Sequence, residues 1–397
     1  MALTQASTFF PRCPVTLQVD LFTEEHDLFR AQCRRFIEKE LAPFADQWED
    51  AKDFPSEVFR KVGEAGFFGI RVPEAYGGAG GDHLMAAVWI EECAGTGSAG
   101  VVAGLNMHGL IILPALVQFG NEDQKQRFLV PGVRGEKIGA LGLTEPSVGS
   151  DLANCRTTAK RDGDDWILNG SKMFITNGCR ADFVLVLCKT DPAASYGGFS
   201  MLIVEKGLLG FDQGKRLEKL GWHASDTAEL VFDNVRVPGR NLLGQEGQGF
   251  YNAMANLEWE RLMMALGAVA GAQLAWDRTF AYVRTREAFG RPIGYFQVNR
   301  HKMVDMATDI EAARQLNYHC LRMVLAKRPC LKEVSMAKIF ACEMADRVAT
   351  TCLQLHGGYG YMKEYKIERF FRDVRLNTIG GGTTEIMKEI IGKLIGL

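Results

Sequence analysis

No apolar run in the 397-residue chain reaches the ~18 residues a membrane span requires. The formal charge is only -2, so no strong field draws in nucleic acid or an anionic membrane, although a local basic patch could still bind phosphates. The ten cysteines form no C-x-x-C pair and no Cys/His cluster, which speaks against zinc and iron–sulfur sites and assigns no metal. In a chain of this length they read as buried free thiols of a reducing compartment. There is no G-x-G-x-x-G at a strand-to-helix turn and no G-x-x-x-x-G-K-[ST], so any dinucleotide must be held in another way. Residues 1–20 lack a charged segment followed by a long apolar one; with Pro11 and Pro14 they read as an extended arm and not as a secretory signal. What remains is an ordinary globular composition, 47% hydrophobic and 24% charged, long enough for two or three domains.

Three regions differ in pattern. Residues 22–139 have helical periodicity. Leu28, Phe29, Cys33, Phe36, Ile37 and Leu41 fall on one face behind an N-cap at Thr23, and Pro43 stops that helix. Ser56 and Asn121 read as further N-caps, and Gly66 as a stop. Residues 140–248 read as short strands. Asn169-Gly170, between two β-prone runs, predicts a hairpin turn, and 183–188, 199–204 and 229–235 predict further strands. Residues 249–397 return to helical periodicity, with long helices over about 250–287, 297–327 and 331–356 that suit a bundle, within one subunit or shared between subunits.

Five stretches carry candidate chemistry. The first, Thr144-Glu145-Pro146-Ser147-Val148-Gly149-Ser150-Asp151, offers backbone N–H groups and hydroxyls to a ligand, although its composition equally suits a domain-connecting turn. In the second, Phe174 beside Thr176 could flank a flat heteroaromatic ring or simply pack in a β core. The third, from Arg284 to Ile293 with Phe296-Gln297, gathers guanidinium groups that clamp a pyrophosphate or else end a solvated helix. Two glycine-rich corners follow, Gln354-Leu355-His356-Gly357-Gly358-Tyr359-Gly360 and Gly380-Gly381-Gly382-Thr383-Thr384-Glu385. Each permits close backbone approach to a ligand or caps a helix.

Together and in this order, T-E-P-x-x-G-S-D, T-R-x-x-F-G-x-x-I…F-Q and Q-x-x-G-G-x-G resemble the acyl-CoA dehydrogenase family from about Phe22 to the C-terminus. The long-chain and isovaleryl branches look closest. The resemblance implies an α+β fold: an N-terminal helical domain, a β-barrel-like middle domain and a C-terminal four-helix bundle, assembled as a homotetramer. It also implies FAD. Leu143, Thr144 and Ser150 would approach the flavin and the CoA side, with Phe174, Ile175 and Thr176 along its ring. Arg286, Phe289 and Gln297 would hold the pyrophosphate and adenosine end. Gln354, Gly357, Gly358, Thr383 and Glu385 would reach the cofactor of a neighbouring subunit. Many relatives carry their catalytic Glu at the position matching Gly381. In the two closest branches the base comes instead from an E-R pair, here Glu260-Arg261.

Chemistry demands such a group, because the α-proton of a thioester is only weakly acidic and a placed carboxylate must remove it. Burial would raise that carboxylate's pKa into a useful range. The thioester oxygen needs donors, which Gly381 and Gly382 still offer through their backbone, and Arg261 is expected to serve CoA or to orient that loop. Glu258 and, less so, Glu385 are the rival carboxylates, and Glu260 read without the resemblance is an exposed helical residue. The small residues of 95–104 would border the acyl pocket and leave room for a medium-to-long or branched tail, or else serve tight helix packing. The family relation implies electron-transferring flavoprotein as acceptor and a cytoplasmic site, or the mitochondrial matrix in a eukaryote. A flavin oxidase or monooxygenase on the same fold, and a dehydrogenase of acyl-carrier-protein thioesters, are the alternatives.

Overall fold

The computed structural model describes residues 21–397, so the arm expected over residues 1–20 lies outside the described residues. The first helix is Glu24–Glu40, with Thr23 and His26 forming a capping box at its start, and it stops ahead of Pro43. Asn121 caps the short helix Glu122–Gln124 through the same reciprocal arrangement. The helical run Ala99–Phe119 spans 21 residues and is long and apolar enough to cross a membrane, which a search for uninterrupted apolar runs does not detect. Of its most apolar 18-residue stretch 72% is buried inside the domain, and its two buried polar residues have protein partners. Asn106 accepts from Trp89 Nε1 at 2.9 Å, and His108 bonds Gly132 O and the Gly139 amide. It is a core helix.

Eight strands follow: β1 (Gly139–Gly142), β2 (Thr158–Asp162), β3 (Asp165–Thr176), β4 (Phe183–Lys189), β5 (Phe199–Glu205), β6 (Phe211–Asp212), β7 (Thr227–Val237) and β8 (Leu242–Leu243). They form one sheet in the order β6-β7-β3-β2-β4-β5-β8, with β1 parallel to β4. The near-continuous apolar runs of β4 and β5 reflect burial on both faces. Phe183, Leu185, Leu187, Phe199, Met201 and Ile203 join the large helical core, whereas Val184, Val186, Cys188, Leu202 and Val204 fill the sheet's own core. The period of two thus divides each strand between two interiors.

The hairpin expected at Asn169-Gly170 is absent. β3 runs straight through these residues, and the turn falls at Gly163-Asp164, between β2 and β3. Gly170 marks a bulge against β7. Its φ is +140°, and a Cβ there would lie 2.7 Å from Thr157 Cα. The glycine is therefore required by a close crossing of two backbones, a contact that no local turn signal records.

The bundle helices are Gly249–Thr285, Gln297–Leu325 and Leu331–His356, followed by the shorter Ile367–Val374 and Thr384–Ile395. The first bundle helix packs on the N-terminal helix His83–Cys93 as well as on its bundle neighbours. The N- and C-terminal helical domains therefore share one continuous core.

Candidate active site

Residues 4, 7, 11 and 18 positions beyond Glu260 return to its face of the first bundle helix at the 3.6-residue period. They are Met264, Gly267, Gly271 and Arg278, and all four line one cavity of about 170 Å³. The opposite wall includes Gly97, Ala99, Val102 and Ala103, from the small-residue segment singled out in the sequence. The two glycines on the bundle helix and the small residues facing them leave the cavity its width. Its lining is mainly apolar, with charged groups confined to the Arg278 end, where Lys366 and Asp373 also reach it.

Glu260 sits one turn before Met264, partly buried. Burial pushes its pKa up to about 7, with the adjacent Arg261 guanidinium only partly opposing the rise, and no hydrogen bond contributes. The rivals lie elsewhere. Glu258 faces the opposite side and accepts from Cys330 Sγ at 3.1 Å. Glu385 is exposed in the first turn of the last helix, and backbone N–H groups with the Thr383 hydroxyl hold its pKa down.

The glycine corner at 380–382 lies over this same turn of the bundle helix. Arg261 Nε donates to Gly381 O at 3.3 Å, and Lys338 Nζ donates to Gly382 O. Gly381 has φ +64°, and a Cβ there would sit 2.7 Å from Met264 Sδ. Thr383 then caps the last helix, its hydroxyl accepting from Ile386 N. The corner is thus tied to the helix that carries Glu260.

A second surface is built from the end of β1 and from β3. Phe174 is 66% exposed with φ +63°, at a register irregularity that turns its ring outward, while neighbouring Ile175 is buried and Thr176 half-buried. The segment holding Leu143, Thr144 and Ser150 runs alongside, because Met173 N donates to Thr144 O at 2.8 Å. Beneath it Glu145 is an anchor. Its carboxylate accepts from Lys172 Nζ (2.9 Å), Thr157 Oγ1 (2.6 Å), Thr157 N (2.9 Å), Arg156 N (2.7 Å) and Cys155 Sγ (2.7 Å). Burial opposes its charge, but Lys172 and these donors hold the pKa down at about 2.

A third surface is a groove of about 530 Å³ where Arg286, Gln354, Gly357 and Gly358 meet. Arg286 lies over the Tyr359 ring, and none of these four is buried. Phe289, at φ +53°, is 96% exposed just beyond, and Gln297 opens the second bundle helix facing solvent. An outward aromatic ring beside backbone amides and hydroxyls, together with an open groove floored by glycine and edged by a guanidinium, fits the two ends of a dinucleotide. Sequence reasoning missed Met264, Arg278 and the Glu145–Lys172 pair. The first two were detectable as helical repeats of Glu260; the pair joins residues 27 positions apart and was not.

A helical–sheet–helical flavoprotein, with an apolar cavity beside a raised-pKa carboxylate, is the class that this fold and site define. Family models of the acyl-CoA dehydrogenase N-terminal, middle and C-terminal domains match residues 23–136, 140–235 and 247–396. The rat mitochondrial long-chain specific acyl-CoA dehydrogenase is 43% identical over 377 residues, covering 94% of this chain and 87% of that one. The crystal structure of an acyl-CoA dehydrogenase from Geobacillus kaustophilus superposes with a TM-score of 0.93 at 44% identity, covering 96% of this chain and all of the other. A glutaryl-CoA dehydrogenase from Mycobacterium smegmatis, solved in complex with FADH2, gives 0.89 at 31%, covering 95% of each. The chain belongs to the acyl-CoA dehydrogenase family: it is a flavin-dependent oxidoreductase of acyl-CoA thioesters, and its cofactor is FAD.

Proposed function

We propose that the enzyme dehydrogenates medium-to-long acyl-CoA thioesters to the trans-2-enoyl-CoA, with Glu260 as the base. The observation that carries this reading is the placement of a carboxylate, of pKa about 7 and without a hydrogen-bonding partner among the described residues, one turn along the helix from Met264 in the wall of an apolar cavity and beside the Gly381 corner. A carboxylate so poised is ionised in a useful fraction at neutral pH and still basic enough to take the α-proton. The backbone N–H groups of Gly381 and Gly382 donate to the thioester oxygen as enolate charge develops there. Arg261 and Lys338 serve that step indirectly, by holding the corner through its carbonyls. When bound, FAD supplies the acceptor for the hydride leaving the β-carbon.

Phe174, Ile175 and Thr176 would border the flavin ring, with Leu143, Thr144 and Ser150 at its edge. Arg286, Phe289, Gln297, Gln354, Gly357 and Gly358 would hold the pyrophosphate and adenosine, with Thr383 and Glu385 near a cofactor shared across subunits. Electron-transferring flavoprotein is the proposed acceptor, and a homotetramer the proposed assembly. The decisive experiment is Glu260→Gln: FAD content stays normal while turnover falls by roughly 10²–10⁴-fold. Near-normal turnover in that variant removes Glu260 from the mechanism.

A further inference from the structure

The cavity that begins beside Glu260 is apolar for most of its length and ends on a cation. Arg278 lies five helical turns beyond Glu260 on the same face, and its Nη2 would be 3.3 Å from a Cβ at Gly97 on the opposite wall. Its guanidinium makes no hydrogen bond or ion pair with any described residue, while burial and the nearby Arg369 push its pKa down to about 10, leaving it charged at neutral pH. The carboxylates around it are committed. Asp46 already accepts from Lys366 at 2.8 Å and Arg369 at 2.9 Å. Asp373 takes the backbone N–H groups of Trp222 (2.6 Å) and Ala99 (3.3 Å). Burial and neighbouring Glu49 raise the Asp373 pKa to about 7, so its charge is only partial at neutral pH. Asp46 is thus the carboxylate that Arg278, Lys366 and Arg369 share, while exposed Glu364 lies in the neighbouring groove, and the cavity side of Arg278 carries excess positive charge.

A half-buried guanidinium without a hydrogen-bonding partner among the described residues is held at a cost, and an apolar chain end pressed against it would strip its remaining water without replacing it. A carboxylate would, through a two-pronged charge-assisted hydrogen bond. We infer that the preferred substrates are long straight-chain acyl-CoA thioesters whose far end carries a carboxylate, bound by Arg278. Length follows from the helix. Met264 to Arg278 is 14 residues, about 21 Å along the axis, the reach of an extended chain of roughly 16 carbons. A shorter diacid would leave its carboxylate stranded among apolar side chains. Arg278 also lines the neighbouring groove that contains Arg286 and His356, so it forms the partition between the cavity and that groove. The inference rests on the acyl-CoA reading above and names the tail it accepts.

The test measures kcat/KM on the FAD-loaded enzyme with the CoA thioesters of hexadecanedioate, palmitate, octanedioate and octanoate, taking the diacid-to-monoacid ratio at each length. The expected ratio exceeds about 10 at 16 carbons and falls below 1 at 8. In Arg278→Met the 16-carbon ratio drops below 1, and in Arg278→Lys it lies between; using the ratio cancels any general loss of activity. A 16-carbon ratio at or below 1 in the wild type, or one that Arg278→Met leaves unchanged, overturns the inference and leaves the dehydrogenase reading standing. Failure of all four thioesters to bleach the flavin anaerobically overturns both.

Discussion

Arg261 Nε donates to the carbonyl of Gly381 at 3.3 Å, while Met264, one turn along the same helix, occupies the space a side chain at Gly381 would need. The helix that carries the proposed base therefore also fixes the Gly381 corner, and it fills the volume that a side chain there would use. Moving the base back to the corner requires more than an exchange of residues. Glu260→Gly with Gly381→Glu is expected to recover little activity, because the new side chain meets Met264 Sδ and φ +64° is unfavourable for a non-glycine residue. Adding Met264→Ala should raise turnover over the double variant by roughly tenfold. Steady-state turnover with FAD content measured in parallel checks it, and equal activity with and without Met264 sinks the steric account.

The raised pKa of Glu260 has two readouts. Because the ionised form is the base, kcat/KM should rise with pH through about 7 and then level off. Stability should move the other way. The folded state holds this proton up to about pH 7 and the unfolded state only to about 4.5, so the wild type loses stability as pH rises between them. Glu260→Gln should therefore melt higher than wild type at pH 8, by an amount on the order of 1–2 kcal/mol, and no higher at pH 4. A melting difference independent of pH would show that Glu260 has an ordinary carboxylate pKa.

Lys172 is fully buried, and its ammonium bonds both Glu145 and the carbonyl of Leu143. Lys172→Met leaves a buried carboxylate without its cation, which costs about 3–5 kcal/mol. The expected result is a lower melting temperature together with loss of FAD on purification. The depressed pKa of Glu145 adds a pH signature. Its contribution is complete above about 4.5 and is lost as pH falls toward 2. Flavin fluorescence should report cofactor release over that acid window in the wild type; release governed only by groups titrating above pH 5 would count against this anchor.

Gly170 tests the crossing that replaced the expected hairpin. Gly170→Ala brings a methyl group to 2.7 Å from Thr157 Cα, and it should destabilise the middle domain by about 2–4 kcal/mol in urea unfolding. Substitution of Asn169, which lies beside the crossing and is only half-buried, should cost less than about 1 kcal/mol. Equal effects at the two positions would restore an ordinary turn.

Local signals were enough for part of the element inventory. Caps at Thr23 and Asn121, the stop before Pro43, and the β-branched runs of β4, β5 and β7 act within a few residues of chain, so periodicity and turn chemistry locate them without knowledge of the fold. The motif order was sufficient to name the family. Local signals failed where a residue's reason lay across the chain. Gly170 is explained by Thr157, and Glu145 by Lys172. The Ala99–Phe119 helix is held inside the domain by partners that its composition does not reveal.

The sequence on its own determined which carboxylates were available to act and where on the helix each one pointed, because helical spacing is a property of the chain. Only the tertiary structure gave them different surroundings. Packing sets how much water each carboxylate keeps and which charges surround it. Among the described residues those two quantities leave Glu260 with a pKa near 7 and no hydrogen-bonding partner, Glu258 bonded to Cys330, and Arg278 facing the cavity with no carboxylate bonded to it.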